Sequence, residues 1–465
     1  MKRALISALL LCGCAQTPPP ALPAGDVPAK FDLASANAPL WPASDWWRGF
    51  NNTELSSLMD TAAAGNLDIV QAEARLRQAD ARARQAGAPL LPSVGLNGGV
   101  NYLYGQSGGT AGHETDFNLA LGASYELDFW GKNRATADSA LALSRASAAD
   151  RATVALTASA AVANEYFQLL SLRERLSVAR ANLKSSQDIL AVVQRRVTAG
   201  YSPNSDLTQE RANLATQQAA IPALEQQELE AKGALAILLG RPPEGFDVKG
   251  ISLAGITAPG VNPGLPSALL TRRPDIATAE ANLASAHADI TAARAALLPS
   301  ITLTANGGIQ SPALNAAVLT LGGTGLGLGL GASLVQTVFD NGKLSARVTE
   351  TEARQDELLA AYRAVVLNAF GDVENALGNL SHLKAQETAL ADQVNAAEGV
   401  LRAAQRKYTA GGADFLVVTD AQRSLFAARD QLSDIRRAAL AANVALYKAL
   451  GGGWDGAAQN QQTSR

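Results

Sequence analysis

The residue with the clearest covalent chemistry lies near the start of the sequence. Cys14 ends the stretch Leu11–Cys14, which resembles the lipobox at which bacterial lipoprotein precursors are cleaved before a cysteine whose thiol then carries diacylglycerol. Residues 1–13 place Lys2 and Arg3 ahead of a short apolar run, as a secretory signal peptide does. That run is shorter than the about 20 residues that span a bilayer. We therefore predict lipidation at Cys14, with an ordinary cleaved signal and no lipid as the alternative.

Elsewhere the sequence offers no catalytic or cofactor-binding constellation. Its three histidines, His113, His287 and His382, lack the spacing of metal ligands. No Gly-Lys-Ser/Thr phosphate loop and no hydrolase triad can be assembled, so a secreted hydrolase is disfavoured. The formal net charge of −3 does not favour binding of nucleic acid, whose phosphates attract basic proteins. We expect no metal, no cofactor and no enzymatic activity.

The sequence repeats itself. Thr198-Ala199-Gly200 recurs as Thr409-Ala410-Gly411, and Leu239-Gly240 recurs as Leu450-Gly451, both 211 residues later. A Leu-Pro-Ser motif in the first half recurs after 207 residues. A nearly constant offset indicates two tandem copies of one structural unit.

The copies define the expected domain organisation. We predict a signal peptide over 1–13, a lipid anchor and extended tether over 14–52, a first repeat over 53–241, a linker over 242–265, a second repeat over 266–451 and a disordered tail over 452–465. Helices are predicted over 53–87, 132–199 and 203–240 in the first repeat, and over 266–297, 343–410 and 414–450 in the second.

Four segments alternate apolar and polar residues. These predicted strands cover about 93–104, 115–129, 300–310 and 324–339. Period two over about ten residues is typical of transmembrane β-strands, although two hairpins on a soluble domain would also show it. Glu126 and Asp128 fall on the polar side and are predicted to line a pore. Four strands cannot close a membrane barrel, which needs about eight, so several chains would have to share one.

The two longest helical segments are too long for a compact domain. Residues 132–199 would extend about 100 Å as a helix. Their apolar positions keep a heptad rhythm, which predicts coiled-coil packing. In the first repeat the predicted seam is Leu172, Leu176, Ala179, Leu183, Ser186, Leu190, Val193 and Val197. A structural coiled-coil lipoprotein would explain the helices but not the strands.

Several motifs carry a resemblance to a known family. They are Trp46-Trp47 with Phe50, Leu90-Leu91-Pro92-Ser93, and the stretch Gly264–Ile276 with its Thr-Arg-Arg-Pro-Asp core. Together with Cys14, the chain resembles the TolC-like outer-membrane efflux proteins, specifically the NodT-type lipoproteins that serve resistance-nodulation-division (RND) pumps. The resemblance implies a membrane β-barrel joined to an α-helical barrel, with a homotrimer sharing one 12-stranded barrel. It also implies a lipid-anchored protein of the outer membrane that extends into the periplasm.

The same resemblance implies a function and partners. The expected role is a passive duct of a tripartite efflux system, through which an inner-membrane pump, of RND type, and a periplasmic adaptor expel small molecules such as drugs. A type I secretion conduit for proteins would share the fold and stays open as an alternative.

Candidate site residues cluster at the two turns between long helices. Gly200, Tyr201, Gly411 and Gly412 are expected to contact the adaptor. For the periplasmic aperture the candidates are Asp414, Asp206, Arg406 and Lys407. Three copies of Asp414 would meet around the symmetry axis, whereas Asp206 would pair with one of the two cations. Asp414 as a helix cap is an equally good interpretation.

Cys14 provides a direct test of the predicted anchor. Mass spectrometry of the mature amino terminus should find diacylglycerol on the thiol and an amide-linked acyl chain on the nitrogen. Several acyl chains anchor a protein in a bilayer far more stably than a single one does. An unmodified residue at the amino terminus contradicts the prediction.

Overall fold

A computed structural model describes residues 27–33, 40–107, 110–311 and 325–454. The predicted signal peptide, Cys14 and most of the tail over 452–465 lie outside these residues. The first feature is one antiparallel sheet in the order β1-β2-β3-β4. Its strands are β1 (Ser93–Ser107), β2 (Thr110–Leu127), β3 (Ser300–Ser311) and β4 (Gly325–Val335).

The sheet has one apolar face that is exposed within the chain. Leu121 on β2 lies opposite Leu96 on β1, and both side chains are exposed. On β4, Leu328 and Leu330 are 84% and 92% exposed. β1 and β4 each pair on one side only, so the described sheet has two free edges. A strand therefore lies at each of the four segments with alternating residues, although their ends differ from the predicted ones. The exposed apolar face needs a partner that accepts apolar side chains.

The fourth strand is shorter than the predicted 324–339. It ends at Val335; residues 336–340 belong to no strand or helix, and a turn at 341–342 leads into a helix that begins at Lys343. The Asp340 carboxylate accepts hydrogen bonds from the backbone N–H groups of Gly342 and Leu344, at 3.0 and 2.9 Å. These groups have no partner within the helix, so Asp340 satisfies the helix start.

Eight α-helices are present in the described residues. They are α1 (Thr53–Gly65), α2 (Leu67–Gly87), α3 (Lys132–Thr198), α4 (Asn204–Leu238), α5 (Pro266–Leu269), α6 (Pro274–Ala295), α7 (Lys343–Thr409) and α8 (Phe415–Ala449). None of them is long and apolar enough to cross a bilayer.

The helix predicted over 53–87 is in fact two helices, interrupted at Asn66. Asn66 has an extended backbone conformation, and its side-chain oxygen accepts from the N–H groups of Asp68 and Ile69. Its amide donates to the Leu238 carbonyl at 2.8 Å. Asn66 therefore ends α1, caps α2 and hydrogen-bonds the end of α4. Hydrophobic periodicity alone does not reveal such a break.

The helix predicted over 266–297 is also two helices, and the second starts at Pro274. A residue before proline avoids helical conformation, whereas proline itself suits the first helical position. The preceding Arg273 is buried and donates to Asp275 at 2.6 Å and to the Ala449 carbonyl at 3.0 Å. The break thus places a buried cation between two elements of the second repeat.

The described residues form two compact units. One contains the sheet, with Leu76–Ser147 and Thr278–Arg363; the other comprises Val27–Arg75, Ala148–Ala277 and residues 364–454. In the second unit, the Trp46 ring stacks on Tyr447 at 5.2 Å between ring centroids. Phe50, fully buried, contacts Phe167 at 5.3 Å. This aromatic core joins the segment before α1 to α3 and α8.

The buried seam of α3 differs from the predicted heptad. Leu183 and Leu190 are only partly buried, whereas Asn182 and Ile189 are buried. Ser186 and Val193 are buried as predicted, so the difference is local to these two positions. The coiled-coil prediction placed these two core positions one residue too late.

In each repeat, a glycine that follows the last helix packs against a backbone carbonyl near the start of the same repeat. Gly240 follows α4 with φ +68°, and a Cβ there would lie 2.0 Å from the Gly65 carbonyl oxygen. In the second repeat, Gly451 has φ +85°, and a Cβ would lie 1.9 Å from the Arg272 carbonyl oxygen. Only glycine tolerates both this conformation and this close approach.

Two substitutions on β2 test the assignment of the sheet faces. In a membrane, Leu121→Arg should destabilise the assembled protein by about 2–4 kcal/mol if it lies near the bilayer midplane. Asn118→Arg, on the other face, should have a much smaller effect. Heat-dissociation of the oligomer, followed by gel electrophoresis, measures the difference; equal losses would show that the faces are assigned wrongly.

Candidate functional site

The turns that end α3 and α7 have the same backbone geometry. Gly200 and Gly411 have φ +76° and +78°, and each donates its N–H to a carbonyl three residues earlier. The next residues, Tyr201 and Gly412, bond back to carbonyls five residues earlier, at 2.8 and 2.9 Å. A left-handed glycine with this pair of bonds is a common helix end. The offset of 211 residues thus predicted two equivalent turns.

Arg196, in the last turn of α3, joins the two turns. Its guanidinium donates to Ser202 Oγ at 3.2 Å and to the Thr409 carbonyl at 3.1 Å. It also lies 4.7 Å from the centre of the Tyr408 ring. A planar guanidinium over an aromatic ring, with hydrogen bonds to both repeats, fixes one turn against the other. We call Arg196, Ser202, Asp206 and Tyr408 the tip network.

Asp206 completes this network. The Tyr408 and Ser202 hydroxyls, which lie 3.1 Å from each other, interact with its carboxylate. Burial, and then the nearby Asp414 carboxylate, raise the pKa of Asp206 above its ordinary value, while Tyr408 and Arg196 oppose the rise. The two acidic side chains predicted from the sequence are therefore neighbours within one chain.

The predicted partners of Asp206 are not its partners within the chain. Arg406 and Lys407 are exposed, and no ion pair among the described residues joins either to Asp206. Lys407 is the repeat equivalent of Arg196, so the cation that folds back comes from the first repeat. The reason is local: Tyr408 follows Lys407 and offers its ring to Arg196, whereas Val197 holds the equivalent position in the first repeat.

Asp414 immediately precedes α8 but does not cap it through its side chain. Its backbone is extended, and its carboxylate makes no hydrogen bond to the helix N–H groups. The side chain is exposed. Capping therefore does not account for this carboxylate, which is free to act on Asp206 or on solutes.

Beneath these polar groups lies an apolar cluster from both repeats. Tyr408 contacts Phe415 at 5.2 Å between ring centroids. We call the following residues the tip cluster: Ile189, Val193, Leu207, Ala397, Leu401, Ala404, Tyr408, Phe415, Val418, Ala421, Leu425 and Phe426. In contrast, Tyr201, Leu416 and Val417 are exposed, and Tyr201 is 77% exposed. The turns thus combine a packed interior with exposed apolar side chains among charged ones.

The residues predicted to line a pore have structural partners. Glu126 pairs with Lys132 at 2.6 Å between Oε1 and Nζ. Asp128 accepts from the N–H groups of Asn133 and Arg134, at 2.9 and 2.8 Å, and so caps α3. Asp128 holds the junction between strand and helix, a role that its position at a predicted boundary could have indicated.

No group of three or more metal-ligating side chains converges in the described residues. Arg196, Ser202 and Tyr408 were missed by sequence reasoning. Their signal was weak: a basic pair precedes each turn, but the sequence does not tell which cation folds back.

The chain matches known proteins along most of its length. Residues 58–241 and 265–452 match the outer membrane efflux protein family. The pyoverdine export outer membrane protein OpmQ of Pseudomonas aeruginosa is 40% identical over 461 residues, which cover 97% of this chain and 96% of that protein. The toluene efflux pump outer membrane protein TtgC of Pseudomonas putida is 32% identical, covering 97% and 94%. The two matched segments correspond to the two repeats.

Solved structures of similar proteins share the fold. The outer-membrane channel OprN superposes with a TM-score of 0.86 at 29% identity, covering 92% of this chain and 97% of that one. The open state of the Neisseria gonorrhoeae MtrE outer membrane channel gives a TM-score of 0.85 at 28% identity, covering 95% and 98%. The predicted fold class is thereby confirmed.

Removing Arg196 tests whether it fixes the turns. Arg196→Ala should lose the stacking and the hydrogen bonds. The free energy of local opening of the turns should therefore fall by about 1–2 kcal/mol. Hydrogen exchange measured by mass spectrometry should then accelerate about 5–30-fold in peptides containing residues 197–202 and 408–415. The matched control is Arg195→Ala, which removes an exposed neighbour on the same turn. Equal acceleration in both variants would contradict the assignment.

Proposed function

Because the chain belongs to the outer membrane efflux protein family and is an outer-membrane efflux channel, we propose that it is the passive duct of a tripartite system exporting small organic molecules. The observation that carries the proposal is the four-stranded sheet, which has two free edges and an exposed apolar face. Lipid tolerates no open sheet edge, and a barrel needs about eight strands. Three copies supply 12 strands and remove both edges of each sheet.

The exported solute is inferred from relatives. OpmQ is named for export of pyoverdine, and TtgC for efflux of toluene. A duct does not need to bind its solute tightly, so one architecture serves different small organic molecules. We assign no catalytic role to the chain. Energy would come from an inner-membrane pump, of RND type, which a periplasmic adaptor couples to the duct.

The turns are the proposed gate and docking surface. Each copy would bring Asp414 near the symmetry axis, where three carboxylates repel one another and attract cations. The tip network would hold each chain closed from within. Arg406 and Lys407, exposed in one chain, would remain available for carboxylates of a neighbouring copy.

The adaptor would contact the outer surface of the turns. Gly200, Gly411 and Gly412 leave the backbone open, while the exposed side chains of Tyr201 and Leu416 provide apolar area. Apolar side chains exposed beside polar ones are typical of protein interaction sites. Docking there could compete directly with the contacts that keep the gate closed.

Single-channel recording of the purified oligomer in a planar bilayer tests the function and the gate together. The wild type should insert and conduct weakly. Asp206→Ala should raise the resting conductance several-fold, because the tip network loses its acceptor, whereas Asp414→Ala should reduce preference for cations. Glu230→Gln, an exposed change on α4, serves as the control.

The outcomes separate the candidate functions. A protein that never conducts would be a structural coiled-coil lipoprotein. Unchanged currents in both Asp variants would place the gate elsewhere. Export of a protein substrate by cells, with no export of small molecules, would favour a type I secretion conduit.

A further inference from the structure

A buried carboxylic acid lies one helical turn from the tip network. Glu210 on α4 is 0% exposed. Its Oε2 accepts a hydrogen bond from Asn213 Nδ2 at 3.2 Å, whereas its Oε1 has no hydrogen-bond partner. Because it is already enclosed within one chain, its burial does not depend on assembly. Neither the gate contacts nor helix capping uses this side chain.

The helix packed against α4 carries a second group of this kind. α4 contacts α8, where Gln422 is 2% exposed and neither of its amide atoms has a partner. Glu210 lies three residues after Leu207, and Gln422 four residues after Val418; both Leu207 and Val418 belong to the tip cluster. Residues at these spacings share a helix face, so both polar groups point toward the apolar interior of the tip.

The charged groups on the surrounding elements do not compensate a carboxylate here. On α3, Arg196 is engaged in the tip network. On α8, Arg423 pairs with Asp420 at 2.5 Å, and Asp414 carries the same charge as Glu210. On α7, Arg402 pairs with Glu398 at 3.6 Å.

On α4 itself, the charged residues nearest in sequence are Asp206, which is an acid, and Arg211, which is exposed. Burial without an ion partner disfavours the charged form and raises the pKa of Glu210 to about 7, although the Asn213 amide opposes the rise.

We propose that Glu210 is a proton-binding site that stabilises the closed tip, so that acidification closes the channel and deprotonation favours opening. The inference rests on the proposed gate at the turns. In the closed tip the neutral acid is compatible with its apolar surroundings. Opening that separates α4 from α8 admits water to Glu210, and its proton is then released to solvent.

The direction of the pH effect follows from linkage. The closed state has the higher affinity for the proton, so its extra stability is fully present below the pKa of a hydrated Glu, about 4.5, and is lost as the pH rises through about 7. Over this window each protomer changes the closed-to-open ratio by more than about tenfold. Three symmetric copies multiply the effect.

Single-channel recording between pH 5 and pH 8 tests the proposal. In the wild type, open probability should increase about tenfold or more from pH 5 to pH 8. Glu210→Gln is neutral at every pH and nearly isosteric, so it should stay closed and lose most of this pH dependence. Glu230→Gln, an exposed change on the same helix, should keep it. Retention of the full pH dependence by Glu210→Gln overturns the proposal.

A second measurement does not depend on gating. Infrared spectroscopy of the detergent-solubilised oligomer should show a protonated carboxyl band that titrates near pH 7 and is absent from Glu210→Gln. Titration of that band near pH 4.5 overturns the inference but leaves the channel function intact. A protein that never conducts overturns both.

Discussion

Every backbone hydrogen-bonding group of a sheet placed in lipid must have a partner. Among the described residues, β1 and β4 each leave one row of such groups unpaired, and β4 exposes leucine side chains that favour an apolar environment. Closing the sheet through copies of the same chain satisfies both requirements. The strand count thus requires more than one copy of the chain, and a rotationally symmetric assembly in turn brings the turns of the copies around one axis. Only in such a symmetric assembly do copies of Asp414 from different chains surround a common axis.

The two repeats have equivalent backbones but different chemistry at their turns. Gly200 and Gly411 end their helices in the same way. However, the ring on which the cation stacks, Tyr408, comes from the second repeat, where the first repeat has Val197, and the cation, Arg196, comes from the first. Because of this difference, a side chain of the first repeat binds the turn of the second repeat.

Regular patterns in the sequence predicted most of the fold. The offset of 211 residues located both turns, and period two located the strands, because backbone geometry leaves few options in either case. The breaks at Asn66 and before Pro274 were missed, since each depends on bonds to distant residues such as Leu238. Helix periodicity is insensitive to a single capping residue.

The candidate site was predicted less completely than the fold. Asp206 and Asp414 lie near each other because each follows a turn, and the sequence analysis, which paired Asp206 with a cation, did not predict this. The cation bound at the turns was not predicted, since side-chain direction decides between Arg196 and Arg406. Glu210 was missed for a related reason: in the sequence it is one more charged residue on a polar helix, and its burial arises only when α4 meets α8.

The closures at Gly240 and Gly451 bear on the history of the chain. Gly65 and Arg272, whose carbonyls these glycines approach, are themselves separated by the repeat offset of 207 residues. Each repeat therefore has its own closing contact, although both repeats contribute to the shared cores. Duplication and fusion of a single repeat account for two copies of this contact in one chain. Fusion also leaves the two turns free to diverge, as Arg196 and its equivalent Lys407 have done.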